Sequence, residues 1–343
     1  MKLSIVVSAY NVENHIKRTL NSMIGQTTRQ FELIVVDDGS TDGTYNQIKE
    51  ILEESHNGNY KIIIKKNGGA GSARNRGLME ASGEFVMFLD GDDYVADNLV
   101  ESIYDSLDSL KSREVDVVCW GYNTVNEEKA VLINYFDTYE PIKKAITGIE
   151  ALKNILDYRT MWICTGSAAF RKDLLNEYQL KYTEGCLNGE DQEFTYKALS
   201  RANNITFINK ILLFYLQREG SISNSYNAKK FDVIDALKRT CYYLKKSNNR
   251  DLMKLADIIE IREMVENYFN NLDTCMTNSN IKPLLNEINE KYPNLNIEIK
   301  KAMRQYKRGK NKIAIKCKLF LISANLYAKS VFLKRKIIAY KRG

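Results

Sequence analysis

Histidine is almost absent from this chain: His15 and His56 are the two among 343 residues. A histidine-rich metal site is excluded, and a catalytic triad would have to draw on one of them. None of the six cysteines (Cys119, Cys164, Cys186, Cys241, Cys275, Cys317) sits in a C-x-x-C pair, and their spacings are wide. That argues against a zinc ribbon and a disulfide framework and fits a reducing, cytoplasmic compartment. No run of about 18 apolar residues occurs, so nothing reads as an ordinary bilayer-spanning helix. Strand-like sequence starts directly after Met1, and no secretory leader is expected. Acidic residues are missing from Lys300 to Gly343, a stretch that holds 15 Lys or Arg. The remainder carries 35 basic and 43 acidic residues, a net charge of −8. An acidic body with a basic tail needs an explanation.

What is present is an ordinary globular composition, 44% hydrophobic and 27% charged. The length suits a catalytic domain with an appendage. Strand and helix signals alternate through the first third. Short apolar runs at Leu3–Ser8, Phe31–Val36, Tyr60–Lys65, Phe85–Leu89 and Val115–Trp120 read as strands. Between them Val12, Ile16, Leu20 and Ile24 recur at helical spacing, and Gly69–Ala81 reads as a helix. This pattern predicts an α/β fold: a doubly wound, mostly parallel sheet with ligands at the carboxyl ends of its strands. A further strand is expected at Ile211–Leu216. Beyond it the signals are helical: Phe231–Leu244, Asp251–Leu272, Lys282–Lys291 and most of 297–340. The boundary falls near residue 225, giving a catalytic domain at 1–225 and a helical C-terminal region at 226–343.

Six segments carry candidate chemistry. Ser8-Ala9-Tyr10-Asn11 and Asp37-Asp38-Gly39-Ser40-Thr41-Asp42 end the first two strands, where a nucleotide would sit; the second also reads as a turn and helix cap. Asp90-Gly91-Asp92-Asp93 places three carboxylates after an apolar run. They would repel one another without a cation, and such oxygen-rich sites hold magnesium or manganese. Gly68–Gly77 has the look of a dinucleotide loop but fails as one. Arg74 takes the third glycine's place, and the segment follows the third strand. Gly189-Glu190-Asp191 opens a helix, so its carboxylates are either caps or, facing a sugar, a general base. Arg218, followed by Ser221 and Ser223, could clamp a leaving diphosphate or lie in a surface turn.

Together these segments resemble the family 2 inverting glycosyltransferases, of glycosyltransferase A-type fold and bacterial surface-polysaccharide type. The carriers are SIVVSAYN at 4–11, FELIVVDDGSTDGT at 31–44, GGAGSARNRGL at 68–78, FVMFLDGDD at 85–93, NGEDQEF at 188–194 and REGSIS at 218–223. The resemblance implies that Ala9 and Tyr10 line a nucleobase pocket and that Asp38 contacts the base, uracil by preference. It places Arg74 near the sugar and phosphates. It makes Asp90 and Asp92 the D-x-D pair, Asp92 being the more direct ligand of Mn2+ or Mg2+. Asp191 becomes the catalytic base with Glu190 beside it, and Arg218 a holder of the pyrophosphate. The donor would be a nucleotide sugar, a UDP-sugar by preference, and the acceptor a glycan or lipid-linked glycan. Two features depart from the family pattern: Ser8-Ala9 replaces a common Pro-Val, and no histidine follows His56 to complete a metal site. The Q-x-x-R-W signature of processive synthases is absent, which points to one sugar per encounter.

Two other functions compete. A sugar nucleotidyltransferase would carry a glycine-rich basic loop after the first strand, and Ser8–Arg18 lacks that composition. A non-catalytic sugar-nucleotide-binding protein would have no need of the aspartates. The basic tail, with apolar residues from Ile313 to Ile338 interleaved, reads as a peripheral anchor on anionic membrane at the cytoplasmic face, or as a lid packed on the body. No nucleic-acid motif accompanies the charge.

Overall fold

The structure, a computed structural model, describes residues 2–55, 59–109, 115–218, 228–277, 279–307 and 311–340. The chain divides into two compact units, 1–218 and 219–343. The boundary expected near residue 225 lies outside the described residues.

The first unit runs β1 (Leu3–Ala9), α1 (Ile16–Ile24), β2 (Phe31–Asp37), α2 (Thr44–Glu54), β3 (Tyr60–Ile64), α3 (Ala70–Glu80), β4 (Phe85–Asp90), β5 (Tyr94–Val95), α4 (Leu99–Ser109), β6 (Val117–Val125), β7 (Val131–Asn134), α5 (Gly148–Lys153), β8 (Ala168–Arg171), α6 (Lys172–Glu177), α7 (Glu190–Leu199) and β9 (Ile205–Leu216). The sheet order is β3-β2-β1-β4-β8-β6-β9-β5, with β7 on β6. β1, β2 and β4 are buried on both faces, as continuous apolar runs require. They pair in parallel, β2 with β3 likewise. The sheet is mixed, because β8 sits antiparallel between β4 and β6. Strand order reverses at β1, which places a binding crevice over the tips of β1 and β4. Register aligns those tips, with Ala9 opposite Asp37 and Ser8 opposite Asp90.

Two glycines make this corner possible. Gly69, the N-cap of α3, has φ of 87°, a region that side chains disfavour. A Cβ at Gly77 would overlap the Val6 side chain, so α3 lies close on β1.

The second unit holds α8 (Asp232–Lys245), α9 (Arg250–Ile258), a π-turn (Ile259–Glu263), α10 (Met264–Cys275), α11 (Lys282–Lys291), α12 (Leu295–Tyr306), α13 (Lys312–Ile322) and α14 (Ala324–Tyr340). The long helix expected over Asp251–Leu272 runs without a gap through α9, one π-helical turn and α10, and the tail forms three helices. Its core is aromatic: Phe269 meets Phe320 at 5.8 Å and Tyr327 at 5.0 Å. Among the described residues no helix is long and apolar enough to cross a membrane.

Candidate active site

The acidic loop leaves β4 at Asp90. Ser8, one strand over, donates its hydroxyl to Asp90 Oδ1 at 3.0 Å. Arg74, on the first turns of α3, donates to the same oxygen at 2.7 Å and to Glu190 Oε1 at 3.0 Å. This guanidinium is 3% exposed and lies over the Tyr182 ring, 5.1 Å from its centroid. Burial by itself would lower its pKa, but the carboxylates of Asp90 and Glu190 outweigh that and raise it. One buried cation therefore joins the acidic loop to the start of α7. Arg74, expected near the sugar and phosphates, donates here to Asp90 and Glu190.

At the start of α7, Gly189 adopts a left-handed conformation with φ of 86°, and Glu190, Asp191 and Glu193 occupy the first turn. The helix N-terminus favours their negative charge. Burial opposes it. Glu190 is pushed up to about 7, by burial first and then by the charge of Asp191. Asp191 is raised too, again chiefly by burial, with Arg74 pulling the other way. Asp191 is half-buried, and its Oδ1 accepts from the Gln192 amide at 2.8 Å. Its remaining oxygen suits a general base in a site of this kind.

On the other side of the loop, Arg218 Nε donates to Asp92 Oδ2 at 2.8 Å. Ser221 and Ser223, named with it, lie outside the described residues. Asp92 is raised by burial and then by the neighbouring charge of Asp90. Asp93 is 1% exposed, and its Oδ1 accepts from the Leu216 amide at 2.8 Å, which ties the acidic loop to the strand leading into Arg218. Tyr94 stacks on Phe214 at 4.8 Å and strengthens that tie. Arg18 donates to the Asp92 carbonyl at 3.3 Å.

The expected base-binding corner is arranged differently from a simple pocket. Ala9 and Asp38 are each 1% exposed, while Tyr10 is 47% exposed. The Asp38 carboxylate accepts from Lys65 Nζ at 2.5 Å and from the Gly68 and Gly69 amides at 3.1 and 2.7 Å. The carboxylate holds the glycine turn in place, and Tyr10 is exposed.

Lys65, Tyr182 and Asp93 are the neighbours of the candidate residues that sequence reasoning missed. Asp93 was visible as the third carboxylate, but no role followed. Lys65 and Tyr182 carry no motif.

Asp90 and Asp92 supply hard carboxylate oxygens of the kind magnesium and manganese prefer. Asp92 is raised by burial first and then by the charge of Asp90, and a cation would relieve that second cause. Among the described residues no group of three or more His, Cys, Asp or Glu could hold a metal. The two aspartates fit a divalent ion only as part of a set completed by diphosphate and water.

Residues 4–179, just over half of the chain, match the model for glycosyl transferase family 2. The chain belongs to this family. Its curated relatives include glycosyltransferase GlyA of Streptococcus pneumoniae, 31% identical over 66% of this chain and 32% of GlyA. They also include the poly(ribitol-phosphate) beta-N-acetylglucosaminyltransferase TarS of Staphylococcus aureus, 31% identical over 66% of this chain and 38% of TarS. The chain thus spans between 32% and 38% of these two relatives' length. Among solved structures, S. aureus TarS in complex with UDP has a TM-score of 0.66 at 23% identity, covering 96% of this chain and 88% of that one. The mannosyltransferase PcManGT of Pyrobaculum calidifontis, in complex with GDP-Man and Mn2+, has a TM-score of 0.54 at 14% identity, covering 97% and 86%. At such identities the structural likeness is one of fold.

Proposed function

We propose that this chain transfers a sugar from a UDP-sugar to an acceptor hydroxyl with inversion at the anomeric carbon. The observation that carries the reading is the Arg74 bridge between Asp90 and Glu190, which joins a diphosphate-side loop to a base-side helix. Family membership supports the donor class, as does the complex of S. aureus TarS with UDP-GlcNAc.

In this reading Tyr10 offers its exposed face to the base, over a turn held by Asp38. Asp191 takes the proton from the acceptor hydroxyl as that oxygen attacks the anomeric carbon. The bond from the anomeric carbon to the diphosphate breaks, and UDP leaves with its electron pair. Arg218 turns its charge from Asp92 to the departing diphosphate. Asp90 and Asp92 would hold Mn2+ or Mg2+, which when bound offsets the diphosphate's charge. Attack and departure on opposite faces need no covalent intermediate, so Glu190 and Arg74 serve to hold the base and the loop. The acceptor in this reading is a glycan or lipid-linked glycan of surface-polysaccharide assembly; the relative TarS is named for a polymeric acceptor, poly(ribitol-phosphate).

The test is a panel of UDP-sugars, with GDP-sugars alongside, assayed for nucleoside diphosphate release with Mn2+ and with EDTA. UDP release from one UDP-sugar, lost in EDTA, is expected. With pyrophosphate added, UTP and sugar 1-phosphate formed from the UDP-sugar would indicate a nucleotidyltransferase, and full activity in EDTA would remove the metal. Failure of every donor would sink the reading.

A further inference from the structure

The basic tail has two faces, and the helical unit uses only one. On α13 the buried side chains are Ala314, Cys317 and Phe320; on α14 they are Tyr327 and Ala328. They pack on the aromatic core around Phe269, and Asp273 fastens both helices through Lys316 Nζ at 2.6 Å and the Tyr327 hydroxyl. Arg335 adds a hydrogen bond to the Met276 carbonyl at 3.0 Å. The tail is therefore anchored to its own unit.

The opposite faces are aliphatic and exposed. Leu326, Leu333 and Ile337 on α14 are between 43% and 62% exposed. At 3.6 residues per turn they fall within about 40° of one another. Lys329 and Lys336 flank that stripe on one side and Lys334 on the other, all exposed. α13 repeats the arrangement: Ile315 and Ile322 are 54% and 75% exposed and within about 20° of each other. Exposed Lys318 and Lys312 flank them on either side. Each helix thus shows an aliphatic stripe edged by ammonium groups, back to back with its anchored face.

We propose that the outward stripes of α13 and α14 dock this chain on an anionic lipid bilayer. Aliphatic side chains flanked by lysines suit the boundary between acyl chains and negative headgroups. Lysine stems reach from that boundary to the phosphates while their methylenes stay in apolar contact. A second copy seated on the same face would set lysines against lysines, since no acidic residue lies between Lys300 and Gly343 to complement them. Nucleic acid would use the charge but leave the aliphatic stripes in water. The geometry also divides the tail by role: Phe320 and Tyr327 belong to the core, and Ile322, Leu333 and Ile337 to the bilayer. The proposal stands on the tail alone and does not need the transferase reading.

The experiment is flotation of the full chain with phosphatidylcholine vesicles, with and without phosphatidylglycerol. Two double variants are compared, Leu333→Ser with Ile337→Ser, and Lys329→Gln with Lys336→Gln. All four positions are exposed, and unchanged thermal melts check the fold. Binding is expected only with phosphatidylglycerol, weakening with salt. The aliphatic variant should lower the partition coefficient about tenfold. Each lysine removed should lower it about fivefold. No flotation with the anionic vesicles overturns the proposal, as does flotation that neither variant weakens. So does a dimer that the aliphatic variant converts to monomers, or RNA binding that only the lysine variant loses while vesicle binding is absent. UDP-sugar hydrolysis without vesicles, measured on the same proteins, should be equal in all, so a failed docking proposal leaves the catalytic reading standing.

Discussion

At the strand tips of the first unit the deepest side chains are ionisable. Asp38, Arg74 and Asp93 are each at most 3% exposed. In the helical unit the corresponding depth is filled by Tyr268, Phe269, Phe320 and Tyr327. Burying an unpaired charge costs several kcal/mol, whereas burying an aromatic ring stabilises. The helical core explains itself as packing. The strand-tip network does not: it collects carboxylates that burial first, and then their mutual repulsion, raises at Asp92 and Asp93. A fold keeps such an arrangement where a ligand or a reaction uses it.

The comparison can be broken most severely at Phe320. Phe320→Ala should destabilise the helical unit by about 3–5 kcal/mol, the cost of a large buried cavity. Denaturant unfolding of the full chain measures it, and a loss below about 1 kcal/mol would place Phe320 outside the core. Asp93 offers a smaller effect of a different kind. Asp93→Leu removes the acceptor for the Leu216 amide and should loosen Arg218, lowering kcat/KM for donor about tenfold. Asp93→Asn keeps the acceptor and should retain most activity; equal loss in both variants would show that the hydrogen bond is not what matters. The smallest expected effect concerns pH. Because Glu190 is raised to about 7, the Glu190–Asp191 pair takes up a proton as pH falls through that value. An exposed carboxylate would still be ionised there. Asp191 is raised as well, chiefly by burial, so activity that needs it ionised should fall on the acid side at a higher pH than an exposed aspartate would set. Glu190→Gln removes one of two like charges, so this limb should move down by about one unit. An unmoved limb would separate Glu190 from the base.

Much of this contrast was legible in the sequence. Turn chemistry and carboxylates directly after apolar runs marked the tips of β1, β2 and β4, because strand ends are where α/β sheets bind ligands. Local patterns could not show partners. Arg74 reads as part of a glycine-rich helix start, and its second carboxylate, Glu190, is 116 residues away. The partners of Asp38 were hidden as well, since the amides of Gly68 and Gly69 that donate to its carboxylate carry no side-chain signal. β8 escaped because Ala168–Arg171 is four residues long, and pairing with β4 and β6 makes it a strand. The π-turn at Ile259–Glu263 escaped because the apolar spacing stays helical through it. In the tail, charge and aliphatic content were plain, but the division into an anchored and an outward face appears only once Phe320 and Tyr327 are seen on Phe269.

Asp191 gives the most direct test, because the account makes it a base and not a cap. Asp191→Asn preserves size and most capping ability while removing basicity. UDP affinity by calorimetry and sugar transfer should be measured on the same preparation. The account predicts turnover lower by about a hundredfold or more with UDP affinity little changed. Wild-type turnover in Asp191→Asn would contradict it, since the proton would then leave the acceptor by another route.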